Sequence, residues 1–258
     1  MQLELDISKS IEKNAEFYYE HSKKAKKKLA GAEKSIEETQ NKIKKLEIKE
    51  VNISNIKPTV KRNKQWYEKY RWFISSTGLI VIGGRDATTN DIIIKKHLEK
   101  NDIVFHTDIA GSPFVVVKAG KNDIDNETIN EAAQFCASYS RAWQHGVTIT
   151  DVYFVRPEQV KKELGLPKGT FMIYGKRTYQ RPVLGTAIGI TTDDAIMGGP
   201  LSAVKKNCRA FVEVIQGDVK KSDCAKKIKA MLEKAVKHAI DLDEIMQTLP
   251  PGDCRIKP

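Results

Sequence analysis

The 258-residue sequence has only four cysteines, Cys136, Cys208, Cys224 and Cys254, widely spaced and without a CxxC pair. That excludes a disulfide framework or zinc scaffold and suits reduced thiols in a cytoplasmic protein. No apolar run reaches the roughly 18–20 residues that span a bilayer, and the opening MQLELDISKS has no signal-peptide core. No membrane partner is expected. Glycine-rich phosphate loops are missing too: Gly83 and Gly84 in IVIGGRDATTN fit neither GxGxxG nor the P-loop spacing. No internal repeat is present, and nothing in the sequence calls for a metal or a cofactor.

Charge of one sign is abundant instead. The formal net charge is +11, which points to a polyanionic partner, nucleic acid before a membrane surface. Its distribution is uneven. Residues 1–50 hold 12 basic against 10 acidic groups in spite of KKAKKK at Lys23–Lys28, whereas residues 51–100 hold 10 against 4. Residues 101–150 are net acidic, and 201–258 hold 12 basic against 8 acidic groups. Two stretches are densest, 57–71 with Lys61, Arg62 and Lys64 around Trp66 and Tyr67, and 205–237 with Lys205, Lys206, Lys220, Lys221, Lys226 and Lys227.

The chain divides by texture into an expected α+β organisation. Leu3, Leu5 and Ile7 alternate like the tail of a strand, and Ser8 or Ser10 can cap a helix over residues 1–50. Ala15, Ser22, Leu29, Ile36 and Ile43 at a, with Tyr18, Ala25, Ala32, Thr39 and Leu46 at d, give five unbroken heptads. A helix of about 40 residues is about 60 Å long and does not bury such a stripe alone. Its partner must be another copy, another protein, or sequence upstream. Residues 51–61, with Pro58, read as a linker.

A mixed α/β domain is expected over 62–192. Arg71–Ser76 and Leu79–Gly84 form a hairpin turning at Thr77-Gly78, and Asp86 caps a helix to about Lys100. Strands follow at 102–106, 113–118, 152–155, 170–175 and 186–192, with a helix from Asn126 to Ala142. After Gly198-Gly199-Pro200 a small α+β module is expected over 198–258: a strand at 210–215, a turn at Gln216-Gly217-Asp218, and a helix from Ser222 to about Ile240.

Several residues carry potential chemistry. Arg85, between the glycine pair and a helix start, is not required by a turn and is placed to hold a phosphate. His106 and Asp108 leave a strand into a Gly/Pro loop, as a structural pair, as metal ligands, or as an acid–base couple. Ser138, Ser140, His145 and Asp151 can be drawn as a triad, but nothing resembles a nucleophile elbow. Ser138, Ser140 and Arg141 at a helix end, and Lys176 and Arg177 between Tyr174 and Tyr179, suit phosphate, ribose or unstacked bases of RNA.

The motifs KQWYEKYRWFISSTGLIVIGGRDATTN, HTDIAGSP, SYSRAWQHG, DVYFVRPEQV and GTFMIYGKR, in that order, resemble the NFACT-R (DUF814) domain in its archaeal and eukaryotic form. The upstream heptads resemble the coiled-coil segment before that domain, and residues 198–258 more loosely resemble the NFACT-C module. The whole is similar to the C-terminal half of the NEMF/RqcH ribosome quality-control group. The resemblance implies a non-catalytic factor that binds tRNA and large-subunit rRNA in rescue of stalled ribosomes. Its RNA contacts would be Arg85, Ser138, Ser140, Arg141, Lys176 and Arg177, with Asp86, Asn90, His106 and Asp108 ordering the loops that present them. The coiled coil would reach a ribosomal protein or an E3 ligase, and an NFACT-N half would be encoded separately. The alternatives are a tRNA-modifying or RNA-processing enzyme built on His106, Asp108 and Arg85, and a coiled-coil interaction scaffold.

Overall fold

The computed structural model describes residues 5–53 and 62–257, with side chains described over 5–41 and 62–257. Residues up to Ile56 form one compact unit and Lys57–Pro258 a second.

The first unit is helix α1, Ile11–Ile53. Its start is tied by Asn14, whose side-chain amide accepts from the Asp6 N–H at 2.9 Å and donates to the Asp6 carbonyl at 3.0 Å. Leu5 and Ile7 lie in coil and turn rather than in a strand; Leu3 falls outside the described residues. The helix runs through Val51–Ile53, three residues into the expected linker, and the rest of that linker, with Lys61, falls outside the described residues. Leu29 and Ile36 of the heptad stripe are 61% and 57% exposed. An apolar surface along Leu5, Ile11, Ala15, Tyr18 and Ala25 continues the stripe. No helix among the described residues is long and apolar enough to cross a membrane.

The second unit is built on antiparallel sheets. Strands β1 (Arg71–Ile74) and β2 (Ile80–Gly83) form the expected hairpin, which turns at Gly78 with φ +96°, a backbone state that glycine reaches without strain. Helix α2 (Ala87–Ile92) is capped by Asp86, which accepts from the Thr89 N–H at 2.8 Å. It widens into a π-helical turn over Ile93–His97 and stops at Leu98, short of Lys100. Strands β3 (Ile103–Thr107) and β4 (Val115–Lys118) precede α3 (Asn126–Ser138). Asp125 rather than Asn126 caps α3, and the helix ends four residues before Ala142 in a series of turns.

Strand β5 (Val152–Val155) matches its expectation. The stretch 170–175 does not form a long strand: β7 is only Met172–Ile173, paired with β6 (Val160–Lys161) as a separate ribbon. The next three residues to pair with β5 are β8, Thr178–Gln180. The main sheet therefore reads β1-β2-β4-β3-β5-β8. Helix α3 packs on β3, β4 and β5 through Ala132, Ala133, Phe135 and Cys136, all buried.

The expected boundary at 198 is not where the residues separate. Strands β9 (Thr186–Thr191), β10 (Ile196–Gly199), β11 (Cys208–Val219) and β12 (Cys254–Ile256) share one sheet in the order β10-β9-β11-β12. β9 thus pairs with β11 across the supposed divide, and a single hydrophobic cluster runs from Phe73 and Phe135 to Ile188, Met197, Ile228 and Leu232. The expected turn at Gln216-Gly217-Asp218 is part of β11, opposite a bulged register with β12. Helices α4 (Leu201–Asn207), α5 (Lys221–Val236) and α6 (Leu242–Thr248) complete the unit. Lys220, not Ser222, precedes α5, which ends at Lys237 in the left-handed region at φ +61°.

Candidate nucleic-acid interface

One cleft of about 590 Å³ gathers residues from three separate loops. Arg71, Gly84 and Arg85 line it from the end of the β1–β2 hairpin, Ala110–Phe114 with His106 from the loop before β4, and Lys168–Phe171 from the loop between β6 and Met172. Arg141, Lys168 and Asp86 stand at its edges.

Asn90 holds the first two parts together. It is 8% exposed, and its side-chain carbonyl accepts from the Phe114 N–H at 3.0 Å. Its amide reaches the Ser112 carbonyl at 3.5 Å, while the Gly84 N–H donates to the Phe114 carbonyl at 3.1 Å. The third part closes through Asp91 and Gly169. Asp91 accepts from the Gly169 N–H at 3.2 Å and pairs with Lys95 at 2.6 Å and Lys162 at 3.7 Å. A Cβ on Gly169 would lie 2.5 Å from the Ala87 carbonyl oxygen, and its φ is +75°, so only glycine lets this loop approach α2 so closely.

The electrostatics at the hairpin end are unusual. The Arg71 guanidinium donates to the Gly84 carbonyl at 2.8 Å and lies 5.2 Å from the Tyr139 ring centroid. Arg85 donates to the Gln247 side chain at 2.5 Å and to the Glu68 and Tyr70 carbonyls at 3.2 and 3.0 Å. Neither forms an ion pair with a carboxylate among the described residues, and the Nε atoms of both are buried without a partner. Burial pushes both guanidinium groups below their ordinary value; the Arg85 charge lowers Arg71 further, while Tyr139 opposes this at Arg71 and the Asp86 carboxylate opposes it at both. Lys221 is brought down to about 8 by burial first and by the charges of Arg71 and Arg85 after it. Paired cations with neutral ligands favour an anion between them. Arg141 and Lys168 are exposed and make no ion pair among the described residues, so the rim is cationic as well.

The other expected contacts are distributed differently. Ser138 and Ser140 are both fully buried. The Ser138 hydroxyl donates to the Gly185 carbonyl and accepts from its N–H, each at 3.0 Å. Ser140 donates to the Ala137 carbonyl at 2.7 Å and accepts from the Ala142 N–H at 3.1 Å. Both hydroxyls are buried and engaged internally at the end of α3, away from the cleft lining. Arg177 does not line the cleft: it pairs with Asp108 at 3.0 Å and lies over Tyr153 at 4.5 Å. Lys176 is exposed beside it.

His106 packs against Phe114 with centroids 4.3 Å apart, and its Nδ1 is 3.4 Å from the Tyr153 hydroxyl. Burial brings it down to about 4, against weaker support from the Thr107 and Ser112 backbone and Asp108; it is neutral at pH 7. Among the described residues no group of three His, Cys, Asp or Glu side chains converges as metal ligands would.

The basic stretches divide likewise. Arg62 is clamped to Glu68 by two bonds of 2.7 and 2.5 Å and donates to the Asp194 carbonyl at 3.2 Å. Lys64 pairs with Glu244 at 2.5 Å and Lys226 with Asp223 at 3.0 Å. Lys221 donates inward to the Leu249 carbonyl at 3.0 Å. Lys205, Lys206, Lys220 and Lys227 are exposed. Reasoning from sequence missed Arg71 and Lys168 as cleft residues. Arg71 was visible only as one charge in a basic stretch; Lys168, beside a glycine in a loop, carried no signal.

The family model for the NFACT protein RNA-binding domain matches residues 69–175, which contain the hairpin, α2 and the three loops of the cleft. The archaeal Rqc2 homolog aRqcH of Methanocaldococcus jannaschii is 38% identical over 215 residues, 81% of this chain and 32% of that protein. The ribosome quality control complex subunit NEMF of Homo sapiens is 37% identical over 179 residues, 66% of this chain and 16% of its own. Ribosome quality control complex subunit 2 of Schizosaccharomyces pombe is 31% identical over 194 residues, 70% and 19% of the two chains. The chain thus spans a third or less of these relatives. With the domain match falling on the cleft and the similarity extending over most of the chain, the protein is of the NFACT/RqcH type.

Proposed function

We propose that the Lys57–Pro258 unit binds RNA through this cleft and that the protein acts in ribosome-associated quality control, on tRNA or rRNA of the large subunit in the cytoplasm. The observation that carries the reading is the hairpin end: Arg71 and Arg85 side by side, each with a buried unpartnered Nε and no carboxylate partner. A phosphate supplies the missing counter-charge, and Arg141 and Lys168 at the rim extend the path along a backbone. The relatives named as quality-control subunits give the biological setting. No complete catalytic group is needed for this role. The exposed apolar stripe of α1 is offered to a protein partner, for which a ribosomal protein, an E3 ligase or an NFACT-N half are the candidates.

Filter binding of tRNA and of large subunits over a salt series tests the reading. Each phosphate contact contributes about 0.7–0.9 to the slope of log affinity against log salt, so Arg71→Met/Arg85→Met lowers it by about 1.4–1.8. Affinity falls roughly tenfold with it. Arg141→Met/Lys168→Met touches no internal bond and lowers the slope as much without affecting the fold. Binding that is absent, insensitive to salt or unchanged in the rim variant refutes the proposal. Deleting residues 1–50 should remove partner capture and leave RNA affinity within about twofold, since that segment adds little net charge.

A further inference from the structure

A second group of basic and aromatic residues lies outside the cleft lining, at the π-helical turn that ends α2. Gln65–Tyr70 folds as two tight turns, with the Glu68 N–H on the Gln65 carbonyl at 3.1 Å and the Tyr70 N–H on the Tyr67 carbonyl at 2.9 Å. These turns bring the Trp66 indole flat onto the His97 imidazole, with centroids 4.7 Å apart and planes 19° from parallel. Tyr67 meets Trp66 edge-on at 5.7 Å, and Tyr70 meets His97 edge-on at 5.5 Å. The backbone of His97 is anchored from the sheet by Lys118, which donates to its carbonyl at 2.6 Å. The backbone that carries the imidazole is therefore anchored, and the indole lies stacked on that ring.

Yet Trp66 is 45% exposed. The other two tryptophans, Trp72 and Trp143, are 7% and 2% exposed, so core packing accounts for them and not for Trp66. Lysines surround the platform. Lys69 lies 5.1 Å from the Tyr70 ring centroid, and Lys69 and Lys96 are exposed with no ion pair among the described residues. Their charges, with that of Lys118, are felt at the imidazole, whose pKa is lowered by burial first and by these three lysines next. Glu99 is the opposing charge at this position and is paired to Lys118 at 3.3 Å.

We infer that Trp66, rigidly backed by His97 and flanked by Lys69 and Lys96, is a stacking platform for an unpaired base of RNA, a second contact point separate from the cleft. A base has an aromatic face whatever its identity, so stacking is tolerant of sequence, and flanking lysines hold the phosphates on either side. The flat, preordered ring loses little freedom on binding, which favours a base over an extended peptide side chain. The inference rests on the proposal that the protein binds RNA, but it uses different residues and a different readout.

The test is tryptophan fluorescence of the full chain titrated with a 12-nucleotide oligouridylate, with inorganic polyphosphate as an anion that has no bases. Saturable quenching by the oligonucleotide and none by polyphosphate is the expected result, because Trp66 is the one indole a base can reach. Trp66→Ala should abolish the quenching and weaken oligonucleotide binding by roughly five- to hundredfold. Trp66→Phe should abolish the quenching yet keep affinity within about threefold, which separates stacking from misfolding. Lys69→Gln/Lys96→Gln should reduce the salt slope by about 1.4. The rim variant Arg141→Met/Lys168→Met, which leaves in place the Arg85 bonds to the Glu68 and Tyr70 carbonyls of the platform turn, should still show quenching at saturation, so failure of the cleft and failure of the platform are told apart. Equal quenching by polyphosphate, quenching that survives Trp66→Phe, or unchanged affinity in Trp66→Ala overturns the inference.

Discussion

Replacing Asn90 by alanine tests how the cleft is assembled. Asn90 sits in α2 with only 8% of its surface exposed, and its side-chain carbonyl is the acceptor for the Phe114 N–H. Phe114 is itself 3% exposed and lies just before β4, where the chain leaves the 108–114 loop. Truncation leaves that N–H buried without a partner, at a cost of about 1–3 kcal/mol, and removes the weaker 3.5 Å bond to the Ser112 carbonyl. About 2 kcal/mol in a unit of this size lowers Tm by about 4–8 °C. Circular-dichroism melting of the wild type and Asn90→Ala measures it, with exposed Thr88→Ala of the same helix as a control expected within about 0.5 kcal/mol. The local consequence is a looser 108–114 loop: limited proteolysis near Gly111 should accelerate, and the Phe114 amide should lose protection from hydrogen exchange. A Tm change below about 1 °C, or unchanged protection at Phe114, refutes the view that Asn90 clasps the loop.

Other outcomes follow from individual groups. His106 is lowered to about 4 while its unfolded counterpart titrates near 6.5, so between those values the unfolded state binds more protons and stability is lost as pH falls. With partial solvent access discounted this amounts to about 2 kcal/mol, and His106→Phe should be less acid-sensitive than wild type in urea titrations at pH 4.5 and 7. Lys221, lowered to about 8 from 10.5, gives the same sign in a higher window. Wild-type stability should rise by about 1 kcal/mol between pH 8 and 10.5, after discounting for screening at its exposed part, and Lys221→Met should show no such rise. Breaking the two-pronged Arg62–Glu68 clamp, whose side chains are 16% and 7% exposed, leaves a carboxylate nearly dry. Arg62→Met should cost about 2–4 kcal/mol by urea denaturation, and Arg62→Met/Glu68→Leu should recover most of it.

Legibility in the sequence followed the range over which each feature is determined. The β1–β2 hairpin, β5 and the Asp86 cap depend on residues within a few positions of one another, and alternation, turn glycine and capping oxygen are readable there. The joined sheet is different. Its key pairing runs between Thr186–Thr191 and Cys208–Val219, across Gly198-Gly199-Pro200. A glycine pair before proline reads as a boundary, yet Gly199 is close-packed in a strand, where a Cβ would come 2.8 Å from the Cβ of Phe73. Gly199 leaves the space that Phe73 of the other sheet fills, and Gly198 the space that Thr248 and Tyr139 fill. Ser138 and Ser140 were misread for a related reason: a short hydroxyl suits a phosphate and suits the end of a helix equally well, and only burial separates the two.

The basic stretches of the sequence are not equally available to an anion. The excess of positive charge over residues 51–100 singled out Arg62 and Lys64 along with Arg85, but the first two have carboxylates at 2.5 Å and are neutralised from within. An arginine held by Glu68 has little left to give a phosphate, because any new anion must displace a carboxylate already in place. Arg71 and Arg85 are held by neutral carbonyls and one amide, so their hydrogen bonds are made without an ion pair among the described residues, and their charge is offset only through space, by Asp86. Lys69 and Lys96 beside Trp66, and Arg141 and Lys168 at the rim, are exposed and make no ion pair among the described residues. The charge available for RNA is therefore the subset without ion pairs, and it lies in two places, one along the cleft and the other beside a stacked pair of rings. A chain spanning both with one strand of RNA would gain by effective concentration what neither contact supplies alone. On that argument the losses of Trp66→Ala and of the rim variant Arg141→Met/Lys168→Met should add on a long single strand that engages both contacts, whereas on a short one, which engages either, each contact masks loss of the other and the double variant loses more than the sum. A double-variant cycle on 6- and 20-nucleotide oligouridylates would show it; the short-strand pattern at both lengths would mean that the two contacts do not engage one strand together.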